Sequence, residues 1–247
     1  MARTFQTGDS GTYRMDYDHP HAVLEPMERE VAVVDEALAV LRDEGVLPHT
    51  AYDRAKFLAH REAVRREFEI PWTAITPRMQ RLLYAVNAIT RPANMIAAGV
   101  FCGNTFISNA GAAVGPGACY EAENLIGIEI VPEEAERAER NVRRIDPTGL
   151  ARIVCDDAVR FVEAFDRPIH LLYLDADGDA KRGKGIYFDI LQAAWDHMPP
   201  GAVVCAHNSV NYAPRLRHYL DFVRDPAHMR GSVNVVLDIE GLEVSLR

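Results

Sequence analysis

Apolar residues recur at helical spacing in the first third of the chain and as short continuous runs in the remainder. From Glu25 to Glu44, the positions Val31, Val34, Ala37, Leu38 and Leu41 fall on one helical face, and Gly45 followed by Pro48 supplies a stop. A second helix is expected from about Thr50 to Phe68, with one heavily charged side. Pro71-Trp72-Thr73-Ala74-Ile75 reads as a turn. Thr76 then caps a third helix with Pro77 at its first position, and Met79, Leu82, Leu83, Val86 and Ile89 face a core. Residues 1 to about 22 are polar and lack a period, which predicts a flexible arm or a lid over a pocket.

After Arg91-Pro92 the pattern changes to strand alternating with helix. Apolar runs at 94–100, 125–130, 151–155, 169–174 and 202–206 read as buried strands. The segments between them, at about 104–114, 132–144, 157–165 and 186–198, read as crossover helices. Another helix at about 213–225 precedes two last strands, 232–239 and 242–246, joined at Glu240-Gly241. This alternation predicts an α/β fold with a doubly wound, mostly parallel, seven-stranded sheet closed by an antiparallel C-terminal hairpin. Residues 1–75 form an N-terminal helical extension, and 76–247 form the main domain.

Composition adds few constraints. A chain of 247 residues with 48% hydrophobic and 26% charged residues has enough apolar surface for a sizeable core. A formal charge of −9 without a Lys/Arg block argues against nucleic acid or an anionic membrane as partner. No apolar run approaches the ~20 residues that span a bilayer. Cys102, Cys119, Cys155 and Cys205 lack C-x-x-C spacing, so reduced thiols in a cytoplasmic protein are expected and a zinc site is not.

The chemistry of such a sheet belongs beyond the carboxyl ends of its strands. The residues placed there are Gly99 to Gly103, Glu129 with Ile130 behind it, Asp156-Asp157, Asp175 and His207-Asn208. Asp157 has two readings, helix cap or ligand contact. Glu129 follows Gly103 by 26 residues, a position from which a carboxylate accepts from two vicinal ribose hydroxyls. A nicotinamide dinucleotide and S-adenosylmethionine both contain such a ribose. A pyrophosphate needs a glycine in the middle of the turn, where Phe101 stands, and the dinucleotide reading falls behind.

On these residues the chain resembles the class I S-adenosylmethionine-dependent methyltransferases, in particular the small-molecule O-methyltransferases of the catechol and caffeoyl-CoA type. The matching stretches are Thr76-Pro77, Gly99 through Thr105, Ile128-Glu129, Cys155 through Ala158, Leu174 through Asp177, Pro200 through Asn208, and the closing hairpin Val235 to Val244. They fall in the family's order over about two thirds of the chain. The resemblance implies a Rossmann-like methyltransferase fold and methyl transfer to a phenolic or enolic hydroxyl of a small acceptor, as in secondary metabolism. C- or N-methylation, or a cofactor-binding module without catalysis, are the alternatives.

The resemblance further implies that Gly99, Phe101, Gly103 and Thr105 line the methionine end of the cofactor. Glu129 then holds the ribose, Asp157 and Ala158 lie beside the adenine, and Ile130 and Asp175 complete the cofactor-binding set. In metal-dependent members a divalent cation sits at the positions of Asp175, His207 and Asn208 and orients two adjacent acceptor oxygens. Three departures bear on this. Ala97 replaces the acidic residue usual at the end of the first strand, and His207 stands where an Asp is usual. Gly178 replaces the lysine that ordinarily follows Asp177. An imidazole suits a transition metal better than Mg²⁺, and it also suits a general base, so His207 has two readings. Lys181 or Lys184 of the intervening loop is then the candidate to reach back as a catalytic residue. The helices before Thr76 are expected to cover the acceptor pocket and to pair with a second copy in a homodimer. Trp72 and Tyr212 are candidate walls for the acceptor, with core packing the favoured role for Trp72.

Overall fold

The computed structural model describes residues 3–247. Thr76 forms the expected cap: its Oγ1 accepts from the Met79 N–H, and Pro77 opens the helix Pro77–Thr90. The helices before it are Met27–Asp43 (α1), which ends at Gly45 with φ 71°, and Arg54–Glu67 (α2), capped by Asp53. We call Pro77–Thr90 α3. The strands are Arg3–Gln6 (β1), Asn94–Ala98 (β2), Asn124–Glu129 (β3), Ala151–Cys155 (β4), Leu171–Leu174 (β5), Val203–His207 (β6), Gly231–Val236 (β7) and Leu242–Leu246 (β8). The later helices are Asn104–Ala110 (α4), Pro132–Ile145 (α5), Ala158–Ala164 (α6), Ile186–Ala194 (α7) and Arg217–Val223 (α8).

The strands form one sheet in the order β1-β7-β8-β6-β5-β2-β3-β4. All neighbours are parallel except β8, which runs against β6 and β7. The period of two along β2 divides the core between two layers. Met95 and Ala97 face α1, α3, α4 and α5, whereas Ile96 and Ala98 face α6, α7 and α8. The chain order reverses between β2 and β5, so the switch point lies at the ends of these two strands.

The sheet has eight strands rather than seven, and the extra one comes from the expected arm. β1 pairs in parallel with β7, Arg3 opposite Val233 through Gln6 opposite Val236. Its four residues carry no periodic signal, and the exposed edge of β7 supplies the pairing partner. The following residues are tied down by Arg78 on α3, whose side chain is wholly buried. Its guanidinium donates to Asp9 and Glu25, both in bidentate fashion, and lies over the Tyr13 ring at 3.7 Å. A flexible arm is therefore not what the structure contains.

Candidate functional site

The break between β2 and α4 is a turn through three left-handed positions. Gly99, Phe101 and Gly103 all have positive φ, at 76°, 49° and 86°. A Cβ on Gly99 would lie 2.4 Å from Ala176 Cα and 2.5 Å from its nitrogen, so the turn presses against the end of β5. Phe101 holds its left-handed conformation because two neighbours fix it. Its N–H donates to Glu129 Oε2 at 2.8 Å, and its ring packs on Trp72 with centroids 4.8 Å apart. Glu129 also accepts from the Val100 N–H at 3.2 Å and, through Oε1, from the Val131 N–H at 3.0 Å. The end of β3 and the glycine turn are thereby locked together.

Beyond Glu129 the rim is open. Ile130 is 61% exposed, an unusual place for a large apolar side chain that follows a buried strand. Asp157 caps α6 by accepting from the Arg160 N–H, so the cap reading holds for one of its oxygens, and Ala158 is the first helical residue. The Asp156 N–H donates to the Glu129 carbonyl, which places this pair of acids beside the end of β3.

On the other side of the switch point a cleft of about 300 Å³ opens. Phe101, Thr105, Asp175, His207 and Asn208 line it together with Trp72, Tyr17, Tyr212, Lys184 and Glu240. The rims of β2, β5 and β6 thus deliver their terminal residues to one cavity. Trp72, favoured for the core on sequence grounds, is instead 47% exposed at the mouth of the cleft. Its ring is a wall, as Tyr212 also is.

Asp175 is the electrostatic centre of this cavity. Its Oδ1 accepts from Lys184 Nζ at 2.9 Å, and its Oδ2 is 3.3 Å from His207 Nδ1. Burial pushes the Asp175 carboxyl up, but Lys184 and His207 outweigh it and hold it well below the usual carboxylate range. His207 is likewise desolvated, which disfavours its charged form, yet the Asp175 carboxylate outweighs burial and raises it above 6.5. The His207–Asp175 approach lies off the line a hydrogen bond needs, so neither ring nitrogen of this buried imidazole has a hydrogen-bonding partner. Asn208 has φ 64° and donates through Nδ2 to Glu240, which also accepts from Asn211 and from the Tyr17 hydroxyl at 3.4 Å.

The expected cation set of Asp175, His207 and Asn208 does not fit a divalent metal. One oxygen of Asp175 is already paired with a buried ammonium, and the His207 imidazole stands 3.3 Å from the other. Asn208 adds only a neutral amide, held by Glu240 through its nitrogen, so the set supplies a single carboxylate and that one is shared with the ammonium. Among the described residues no group of three or more His, Cys, Asp or Glu side chains is arranged to hold a metal ion.

Lys181 is corrected as well. It lies exposed on the loop, its carbonyl accepts from Arg215, and it does not line the cleft; Lys184 reaches Asp175 instead. The loop folds back through Gly183 N–H to the Asp179 carbonyl and Gly178 N–H to the Gly183 carbonyl, which turns Lys184 inward. Glu240 and Tyr17 had escaped the sequence reading. The Glu240-Gly241 turn was visible as a hairpin, but nothing local showed that it closes over β6.

A larger cavity, of about 470 Å³, lies between residues 20–27, α1 and α2. Asn104 lines both cavities. No residue of β5 or β6 lines the larger cavity, so the strand-end residues Asp175, His207 and Asn208 belong to the smaller cleft.

Residues 96–209 match the family model of a methyltransferase domain. No curated protein matches the chain. Among solved structures it is similar to the O-methyltransferase TomG of Streptomyces achromogenes in complex with S-adenosylmethionine, at 18% identity and a TM-score of 0.58 over 90% of this chain and 99% of that one. An O-methyltransferase of Bacillus cereus in complex with SAH (S-adenosylhomocysteine) is 15% identical, with a TM-score of 0.55 over 90% of this chain and all of that one. An SAH-bound methyltransferase of Podospora anserina is 11% identical, with a TM-score of 0.57 over 92% and 99%. With a glycine turn and an acidic strand end inside residues 96–209 and a closing hairpin after them, the chain has the fold of these methyltransferase structures, and residues 96–209 are similar to a methyltransferase domain.

Proposed function

We propose that this protein transfers the methyl group of S-adenosylmethionine to a hydroxyl oxygen of a small aromatic or enolic acceptor. The observation that carries the reading is that the glycine turn and the Asp175–His207 pair open on one cleft. The turn at Gly99, Phe101, Gly103 and Thr105 has the close backbone approach that a methionine moiety needs. One lone pair of Glu129 Oε1 remains for a ribose hydroxyl after three backbone donors are counted. The exposed face of Ile130 supplies an apolar surface for an adenine ring, with Asp157 and Ala158 beyond it.

S-adenosylmethionine supplies an electrophilic methyl group on a sulfonium. As the acceptor oxygen forms its bond to that carbon, the carbon–sulfur bond breaks and its electron pair returns to sulfur. The acceptor proton goes to His207 Nε2, which has no other partner, while Asp175 beside Nδ1 stabilises the imidazolium. Trp72, Tyr17 and Tyr212 form the aromatic walls that hold a planar acceptor in line, and positioning supplies a large part of the rate.

The test is calorimetry with SAH followed by transfer of labelled methyl groups to a panel of phenols, enols and amines. Binding of SAH with O-methylated product is the expected result. Absence of binding overturns the reading. Products methylated on carbon or nitrogen would move the reaction to another class, and tight binding without turnover to any acceptor would make the chain a binding module.

A further inference from the structure

The cleft carries a fixed cation of its own. Lys184 Nζ lies 2.9 Å from Asp175 Oδ1 and 2.9 Å from the Asp175 main-chain oxygen, with the side chain buried. An ammonium has three N–H donors, and these two contacts use two of them. The third has only the Asp177 carboxylate nearby, at 3.3 Å, and Asp177 is an exposed residue at the rim that water can satisfy. The imidazole of His207 stands on the other oxygen of the same carboxylate. A proton acceptor and a hydrogen-bond donor are thus mounted on the two oxygens of Asp175 and face one cavity.

We propose that Lys184 takes the place of a divalent cation in this site: its third N–H, exchanging the exposed Asp177 carboxylate for the acceptor, holds the acceptor oxygen and stabilises the charge that develops there as His207 removes the proton. The proposal rests on the methyl-transfer reading above. It has a consequence for the acceptor. A metal ion is chelated by two adjacent oxygens and so favours vicinal diols such as catechols. A single N–H donor needs one oxygen, and the acceptor class therefore extends to compounds with one phenolic or enolic hydroxyl. Loop geometry enforces the arrangement, because the turn Gly183–Gly185 brings the lysine back over the end of β5, with Nζ 5.7 Å from the centre of the Tyr187 ring.

Two measurements test this. The first is a titration of the wild-type protein with Mn²⁺ in the presence of SAH, followed by electron paramagnetic resonance of the free ion. No stoichiometric uptake is expected, and chelator is expected to leave methyl transfer unchanged. One tightly bound Mn²⁺ that is lost in Asp175→Asn overturns the assignment, and so does abolition of turnover by chelator. The second compares monophenols with matched catechols in the wild type and in Lys184→Met and Lys184→Arg. Monophenols are expected to react within about threefold of catechols, and Lys184→Met to lose kcat by about 100-fold or more with SAH affinity within about threefold. Lys184→Arg, which keeps the charge, is expected to recover part of the loss. An obligate requirement for catechols overturns the proposal, as does full activity in Lys184→Met. Should Lys184→Met fail to fold, the Mn²⁺ titration and acceptor comparison on the wild type still decide the matter. Failure of the wild type to bind SAH would be a different result, overturning the methyl-transfer reading and with it the acceptor role of Lys184.

Discussion

The carboxylate of Glu129 at the end of β3 accepts from the N–H of Phe101 at 2.8 Å, within a turn that belongs to β2 and α4. One side chain thereby does two things. It holds Phe101 in its left-handed conformation and stands at the position of a ribose ligand. Glu129→Ala is expected to weaken SAH binding by about 10- to 100-fold, since a hydrogen bond to a charged group is worth about 1.5–3 kcal/mol. Calorimetry on the folded variant checks this, and unchanged affinity would remove Glu129 from the cofactor site.

Gly99 tests whether the turn needs its close approach. Gly99→Ala places a Cβ 2.4 Å from the Ala176 backbone at a φ of 76°, and the end of β5 must move with it. A loss of about 2 kcal/mol or more in denaturant unfolding is expected, together with weakened SAH binding. Gly45→Ala is the control. It has a similar φ of 71° but nothing within 4 Å of the added carbon, so it should cost only about 1 kcal/mol.

His207 gives the reaction a pH signature. The base must be neutral, and Asp175 holds its pKa above 6.5. Turnover should therefore rise with pH through a value above 6.5 and level off on the alkaline side. His207→Ala should lower kcat by about 10²- to 10⁴-fold while SAH affinity stays within about threefold. A flat kcat/KM profile between pH 6 and 9 would exclude the base role.

His60 on α2 predicts a pH effect on stability rather than activity. It is buried against Tyr84 and Gly111, and desolvation, assisted by the Arg61 charge, depresses its pKa to about 4. The unfolded chain, with an ordinary value of 6.5, takes up the proton first. Stability from this site is therefore complete above pH 6.5 and is lost as pH falls toward 4. The gap corresponds to about 3 kcal/mol. Melting curves at pH 7.5 and 5 should separate in the wild type and approach one another in His60→Gln.

Arg78 anchors the N-terminal segment. Replacing it with Met leaves the Asp9 and Glu25 carboxylates only the exposed Arg29 as a cationic partner, and a cost of about 3 kcal/mol is expected from equilibrium unfolding. Arg78→Lys should not rescue it, because a single ammonium cannot match two bidentate contacts.

Much of this molecule is written in local patterns. The Thr76-Pro77 cap, the apolar runs of β2, β3, β5 and β6, and the glycines at 99 and 103 follow from periodicity and backbone sterics, which act between near neighbours in the chain. Glu129 and Asp175 were legible for the same reason, because a residue that ends a parallel strand must arrive at the binding rim. What tertiary structure alone decided depends on partners far away in sequence. Arg3–Gln6 becomes a strand only because β7 offers an open edge, and Trp72 becomes a wall only because Phe101 lies beneath it. Glu240 reaches the cleft by way of a hairpin packed on β6, and the choice of Lys184 over Lys181 turns on how one glycine-rich loop folds back toward Asp175. The strand pattern specifies where the site is. Which charge faces Asp175 is set by loop closure, which no local spacing encodes.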